Sequence, residues 1–370
     1  MATPTSSESL AALIGELVRI ESTNPTLPMG GAGEAEVARF IADWCAEAGL
    51  EVELTEVEPG RPNVVATARG SGGGKSLIFN GHIDTVGTIG MEDPFSGRVE
   101  NGRLYGRGSY DMKSGVAAAM MATAACLEHE LAGDVILTAV IDEEMECLGT
   151  TALLKTLTAD GAIVVEPTDM TLGIAHKGFA AYEIETLGNA AHGGQPEVGI
   201  DANVRMGHVL LRIEELNAKL AAGREHPLLG PGSLHASVLE GGQERTSYSG
   251  RSSLRGGRRT LPGDEPAKIE AELAELLGDL PGSSGLGIWK APFEIDAEHP
   301  FVSVVQQASG EQLGGLFYWA ETALFDAAGI PAVLLGPKGD GAHAEVEWVD
   351  LESAYRCFEH YVAVARAFCA

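Results

Sequence analysis

Apolar residues at Leu10, Leu13, Ile14, Leu17 and Val18 fall at the spacing of one helix face. Thr5 and Glu8 in front of them have the spacing of a capping box. A second helix is predicted over 34–48. Val37, Phe40, Ile41, Trp44 and Cys45 form its apolar stripe, and Gly49 stands where a left-handed C-terminal residue belongs. Short β-rich apolar runs then alternate with helical ones. Strands are predicted at 52–57, 64–68, 77–79, 135–141, 162–165 and 332–335, with a helix notably over 114–127. That alternation predicts a layered α/β domain with a mixed, largely parallel sheet. The middle of the chain follows a different pattern. Residues 179–186 alternate like a half-exposed strand, and 200–220 is a long helix with Val204, Leu210, Leu211 and Ile213. Strands follow at 233–239 and 251–259, then a helix over 264–280. This order predicts a small α+β insert with helices on one face. The expected organisation is therefore 1–177 and 293–370 as one α/β domain, interrupted by 178–292.

A chain of 370 residues is long enough for two domains, at roughly 100–200 residues each. With 45% apolar and 21% charged residues it can bury a sizeable core. The net charge of −28 argues against nucleic-acid binding, which depends on neutralising phosphates, and against docking on an anionic membrane. No basic segment followed by an apolar run opens the sequence, and no apolar stretch is long enough to span a bilayer, so neither a signal peptide nor a membrane span is expected. Five scattered cysteines without a paired motif read as reduced, buried thiols of a cytoplasmic protein.

The candidate chemistry follows from position. Residues 77–79 run into Asn80-Gly81-His82-Ile83-Asp84, and 135–141 into Asp142-Glu143-Glu144. Residues 162–165 run into Glu166, and 332–335 into the glycine-rich loop that reaches His343. Asp111 sits in another glycine-rich loop before the helix over 114–127. In open α/β sheets ligands bind beyond the carboxyl ends of the strands. One acid after a strand is ordinarily a turn residue. Several acids and two histidines at successive strand ends are more than turn chemistry. Like charges at about 4 Å cost roughly 4 kcal/mol per pair at an effective dielectric of 20, so a cation must offset them. Imidazole and carboxylate donors suit a divalent ion such as zinc, and a shared carboxylate suits two. His82 and Asp84 are two residues apart and face one side of an extended chain, so Asp84 can orient the ring. Glu143 and Glu144 are adjacent and point apart, so that one can ligate while the other holds water.

Together the stretches NGHIDTV, GRGSYDMKSG, IDEEMECLGT, VVEPTD, NAAHGGQPEVGIDA, RRTLPGDE and GDGAHAEVEWV resemble a di-zinc peptidase and deacylase family. That family includes acetylornithine deacetylase, succinyl-diaminopimelate desuccinylase, aminoacylase and glutamate carboxypeptidase, and the resemblance spans nearly the whole chain. It implies a zinc-hydrolase catalytic domain interrupted by a small α+β lid and dimerisation domain. His82 and Glu166 would hold one zinc and Glu144 and His343 the other, with Asp111 bridging. Glu143 would be the general base and Asp84 the support of His82. A cis peptide is implied at Asp111–Met112. His192 would donate to the oxyanion, often from the partner subunit. Cobalt or manganese would substitute for the two zinc ions, and the protein would be a homodimer through the insert.

The insert also clusters Arg245, Arg251, Arg255, Arg258 and Arg259. A guanidinium suits a carboxylate-bearing small-molecule substrate, and Arg259 matches the family position for that role. Gly257, Ser249, Ser253 and Glu321 depart from the family pattern where an acid, Pro, Cys and Asp are common. His129, His176, His208, His226, His235, His299 and His360 match no ligand position. Cys147 reads as a packing thiol and Met120-Met121 as helix core. The expected activity is hydrolysis of an N-acyl amino acid. A metallo-carboxypeptidase or dipeptidase is the alternative enzyme. A binding protein that kept the fold, or a one-metal lyase or deaminase, is the alternative of another class.

Overall fold

The computed structural model describes residues 5–27 and 29–370, so the reading of the first four residues lies outside it. The chain divides into two compact units. One is the stretch ending at Ile174 with Ile295–Gly314 and Ala320–Ala370, and the other is Ala175–Glu294 with Gly315–Trp319.

The sheet of the first unit has a parallel centre. Leu77–His82 lies parallel to both Val135–Val140 and Gly161–Val164, and Ala332–Leu334 lies parallel to Gly161–Val164. Outside Val135–Val140 come Arg61–Ala68 and Glu51–Glu58, each antiparallel to its neighbour. On the other side Leu334 meets Gly173 antiparallel. Burial follows this order. The central strands are buried at every position, as parallel strands covered on both faces must be, whereas Glu51–Glu58 is mostly exposed. The strand predicted over 77–79 runs on to His82. Its last part carries Asn80 and His82, polar residues that are buried and hydrogen-bonded, so polarity hid its length.

Helix Ser7–Arg19 presents Leu10, Leu13, Ile14, Leu17 and Val18 to the core. Its cap is Ser6, whose hydroxyl accepts from the Ser9 N–H at 3.2 Å, one residue beyond the predicted Thr5. Helix Lys113–Ala125 is buried from Lys113 through Ala124. Small residues permit that: a Cβ on Gly115 would stand 2.0 Å from the Val165 carbonyl oxygen, and one on Gly81 would stand 2.7 Å from Val116 Cγ2. The close approach brings the start of this helix, just after Asp111, against the strand ends.

In the second unit four strands form an antiparallel sheet in the order Ser233–Gly241, Arg251–Thr260, Gly178–Leu187, Gly282–Lys290. Helices Ala202–Ala222 and Pro266–Leu277 pack on it through Met206, Val209, Ile213, Ile269 and Leu273, against Ala180, Tyr182, Ile184, Leu234 and Leu254. Gly282–Lys290 was not predicted. Its glycine- and serine-rich start lacks strand formers and its register slips between Leu286 and Trp289, so neighbours rather than propensity make it a strand. Among the described residues no helix is long and apolar enough to cross a membrane. All five cysteines are buried, with no disulfide among the described residues.

Candidate active site

The first unit gathers His82, Asp111, Glu143, Glu144, Glu166 and His343 at the carboxyl ends of its central strands. Asp111 stands between the two histidines. Its Oδ1 is 3.2 Å from His82 Nε2 and its Oδ2 is 3.3 Å from His343 Nε2. His343 Nε2 also lies 3.1 Å from Glu144 Oε2. His82 Nε2 is 3.7 Å from Glu166 Oε1 and 3.9 Å from Glu143 Oε2. Two groupings bring their donor atoms within 4.8 Å of one another: His82, Asp111 and Glu144, and His82, Glu143 and Glu166. The buried Glu144 Oε1 has no hydrogen-bond partner among the described residues. A buried, unsatisfied carboxylate oxygen facing imidazoles and further carboxylates fits a divalent cation, and the donor set is that of zinc-like ions. The Asp111–Met112 peptide is cis.

The electrostatics show the same crowding. Burial pushes Glu143 and Glu166 well above the ordinary carboxylate range, and raises Glu144 and Glu321 as well. Burial also opposes a charge on His82, but the adjoining Asp111 and Asp84 outweigh it and hold its pKa well above the usual value. Asp111 and Glu144 push His343 up to about 10. Asp111 moves the other way: despite burial, the His343 and His82 rings hold it far below its usual value. In the absence of a cation these shifts favour the protonated forms of the histidines and glutamates.

Supporting groups fix this arrangement. His82 Nδ1 donates to the backbone carbonyl of Asp84 at 3.0 Å, so Nε2, which faces Asp111, is the nitrogen that can offer a lone pair to a cation once its own proton is displaced. The Asp84 carboxylate, expected to take that N–H, is farther at 3.5 Å. The strand ends at His82, and the turn brings the carbonyl under the ring. The carboxylate instead accepts from Asn24 Nδ2 at 2.7 Å and from the backbone N–H groups of Glu143 and Glu144 at 3.1 and 3.3 Å. Asp84 therefore ties His82 to the turn bearing the glutamate pair. Asp142, at φ +69°, is held in that turn by Arg61 at 2.8 Å, itself paired with buried Glu34. Glu321 is buried and accepts from Asn80 Nδ2 at 2.7 Å. Asn24, Arg61, Asp142, Glu321, Arg107 and Glu347 were not assigned roles from the sequence. The available signal was polar residues within otherwise apolar or glycine-rich motifs.

The second unit holds the remaining candidates. His192 is exposed, and its Nδ1 accepts from the Gly194 N–H at 3.1 Å, so in the neutral ring Nε2 carries the proton. Of the arginine cluster, Arg251 pairs with Glu185, Arg255 with Glu240 at 3.4 Å and Arg258 with Glu272 at 3.0 Å. The half-buried Arg259 guanidinium makes no ion pair among the described residues and lies 4.9 Å from the ring centre of Phe179, while burial lowers its pKa. The departure at Gly257 has a steric cause. A Cβ there would stand 2.7 Å from His235 and 2.9 Å from the Phe179 ring that supports Arg259.

The family profile described as Peptidase family M20/M25/M40 matches residues 78–367. The chain belongs to that family of hydrolases. It is 28% identical to an acetylornithine deacetylase of Vibrio atlanticus, over 91% of this chain and 92% of that protein. The aminopeptidase PepT of Bacillus cereus shares the fold at a TM-score of 0.80 and 19% identity, over 99% of each chain. A dinuclear metal-binding M20 peptidase of Bacillus subtilis does so at 0.70 and 15%, over 98% of this chain and 99% of that one.

Proposed function

We propose that this chain is a di-zinc deacylase that hydrolyses the amide bond of a small N-acyl amino acid. The observation that carries the reading is the pose of Asp111, one oxygen toward His82 and the other toward His343. His82 and Glu166 would hold one ion and Glu144 and His343 the other, with Asp111 shared. When bound, such ions polarise the substrate carbonyl and lower the pKa of water toward neutrality. Glu143 takes the water proton and passes it to the leaving amine. A carboxylate whose pKa is raised by burial suits that exchange. His192, from this chain or a partner, donates Nε2–H to the oxyanion that forms as water adds to the carbonyl. Arg259, left without an acidic partner, receives the free carboxylate of the substrate. The named activity of the Vibrio atlanticus relative supports an N-acyl amino acid as the substrate class.

We read the second unit as a lid and dimer contact, supported by the exposed apolar Val204 and Leu211 on helix Ala202–Ala222. Five buried cysteines outside any disulfide support a reducing, cytoplasmic setting. The decisive experiment is a panel of N-acetyl amino acids and dipeptides with the zinc- or cobalt-loaded protein, with metal content measured alongside. Turnover of the acetylated series with about two ions bound per chain is expected. Turnover of dipeptides alone makes the protein a peptidase, and metal-free protein with no turnover of either series makes it a binding protein.

A further inference from the structure

Glu347 lies four residues after His343, and its side chain is wholly buried. Its Oε1 accepts from the backbone N–H groups of Tyr110 at 2.9 Å and Asp111 at 3.0 Å. Its Oε2 accepts from the Gly108 N–H at 3.0 Å and from Arg107 Nη1 at 2.6 Å. The loop that delivers Asp111 is thus wrapped around one carboxylate. Gly108 makes this possible, because its φ of +78° turns the chain so that successive N–H groups converge. Arg107 continues the connection. Its Nη2 donates to the Ala344 carbonyl at 3.0 Å and its Nε to the Gly87 carbonyl at 3.1 Å. Ala344 directly follows His343, whose φ of +62° lies in the left-handed region that a side-chain-bearing residue adopts only when its surroundings impose it. His343 itself is more than half exposed, so packing of the ring does not hold it.

We propose that Glu347, acting with Arg107, is a positioning residue that fixes the distance between the Asp111 and His343 loops and thereby sets the affinity for the cation these two residues share. The proposal rests on the metal reading above. Four donors converge on one carboxylate that touches neither histidine. Its effect on the site passes through the backbone of Asp111 on one side and of Ala344 on the other. A glutamine at 347 has the same shape but offers one acceptor oxygen, so its amide N–H₂ would face donors. A lysine at 107 keeps a charge beside Glu347 but cannot also serve the Gly87 and Ala344 carbonyls in a fixed fork.

The test is titration of metal-free protein with cobalt(II), followed by visible absorption and calorimetry, for the parent chain, E347Q, R107K and E345Q. Glu345 is an exposed acid two residues away and controls for charge. The parent is expected to bind two ions in resolvable steps. In E347Q one step weakens by about 10–100-fold and its absorption band changes, the size usual for partners that orient metal ligands. R107K weakens the same step by a smaller factor, and E345Q leaves both steps unchanged. E347Q and R107K binding both ions with parental affinity and spectrum would overturn the proposal. If E347Q does not fold, R107K decides alone. If the parent takes up no cobalt, the metal reading itself has failed, a different result from parental binding by the variants.

Discussion

The acidic rim of the first unit and the arginine-bearing sheet of the second treat charge in opposite ways. On the sheet, Arg251, Arg255 and Arg258 each meet a glutamate of the same unit, and Arg259 is left to an aromatic ring. At the rim, Asp111, Glu144 and Glu166 have, among the described residues, only His82 and His343 as ion-pair partners, and one oxygen of Glu144 has no partner there. Of these four arginines Arg259 is left without an acid, whereas the rim crowds carboxylates around two imidazoles and leaves one oxygen of Glu144 without a partner among the described residues. What each region lacks indicates what it receives. On the proposed function the rim would receive cations and the Arg259 guanidinium a carboxylate. Charge that a chain leaves unpaired in buried or half-buried places is costly to keep, so its persistence points to a ligand.

The contrast can be broken at several points. The largest effect is expected from Glu143→Gln, which should keep the metal and lose about 10²–10⁴-fold in kcat, the range for general acid–base groups. Near-parental turnover with full metal content would remove Glu143 from its role. His192→Ala should lower kcat by about 10²–10³-fold, the usual cost of one oxyanion donor, without metal loss. Stoichiometric loss of metal in that variant would make His192 a ligand instead. Arg259→Lys should act mainly on KM, raising it by roughly 10-fold, because a single ammonium replaces a bidentate fork. An unchanged KM for every carboxylate-bearing substrate would leave the guanidinium without its assigned partner.

The smallest effect is a stability change in metal-free protein. His82 and His343 have pKa values raised on folding, as do buried Glu143 and Glu166, so between about pH 4.5 and 10 the folded chain holds protons that the unfolded chain has already released. Stability therefore falls as pH rises through neutrality. Asp84 and Asp111, whose pKa values are lowered, act in the opposite sense only below about pH 4. Cation binding must displace the retained protons, so affinity should rise with pH and calorimetry in two buffers should show proton release. Thermal melts of metal-free protein that improve from pH 6 to pH 9 would contradict this account.

Much of the rim was legible because of a simple regularity. His82, Glu143, Glu144, Glu166 and His343 each follow an apolar run, and an apolar run of that length in an α/β chain ends at the ligand-binding edge of a sheet. The insert was legible as a change of period. Glu347 and Arg107 were not assigned, although they lie in motifs that drew attention, because what they do depends on two loops 240 residues apart in sequence meeting around one carboxylate. The strand Gly282–Lys290 escaped for a related reason, since only its pairing with Gly178–Leu187 makes a glycine-rich segment extended.

The sequence by itself indicated which side chains could do chemistry, on which kind of element each sits, and that their donor types suit a cation. Local pattern and composition suffice for these because they depend on near neighbours along the chain. Tertiary structure alone decided that Asp111 faces both histidines, that His82 leans on a backbone carbonyl rather than a carboxylate, and that Arg259 goes without an acid. Each of those is a relation between distant residues, and distances of a few ångströms are set by packing, which no single stretch of sequence contains.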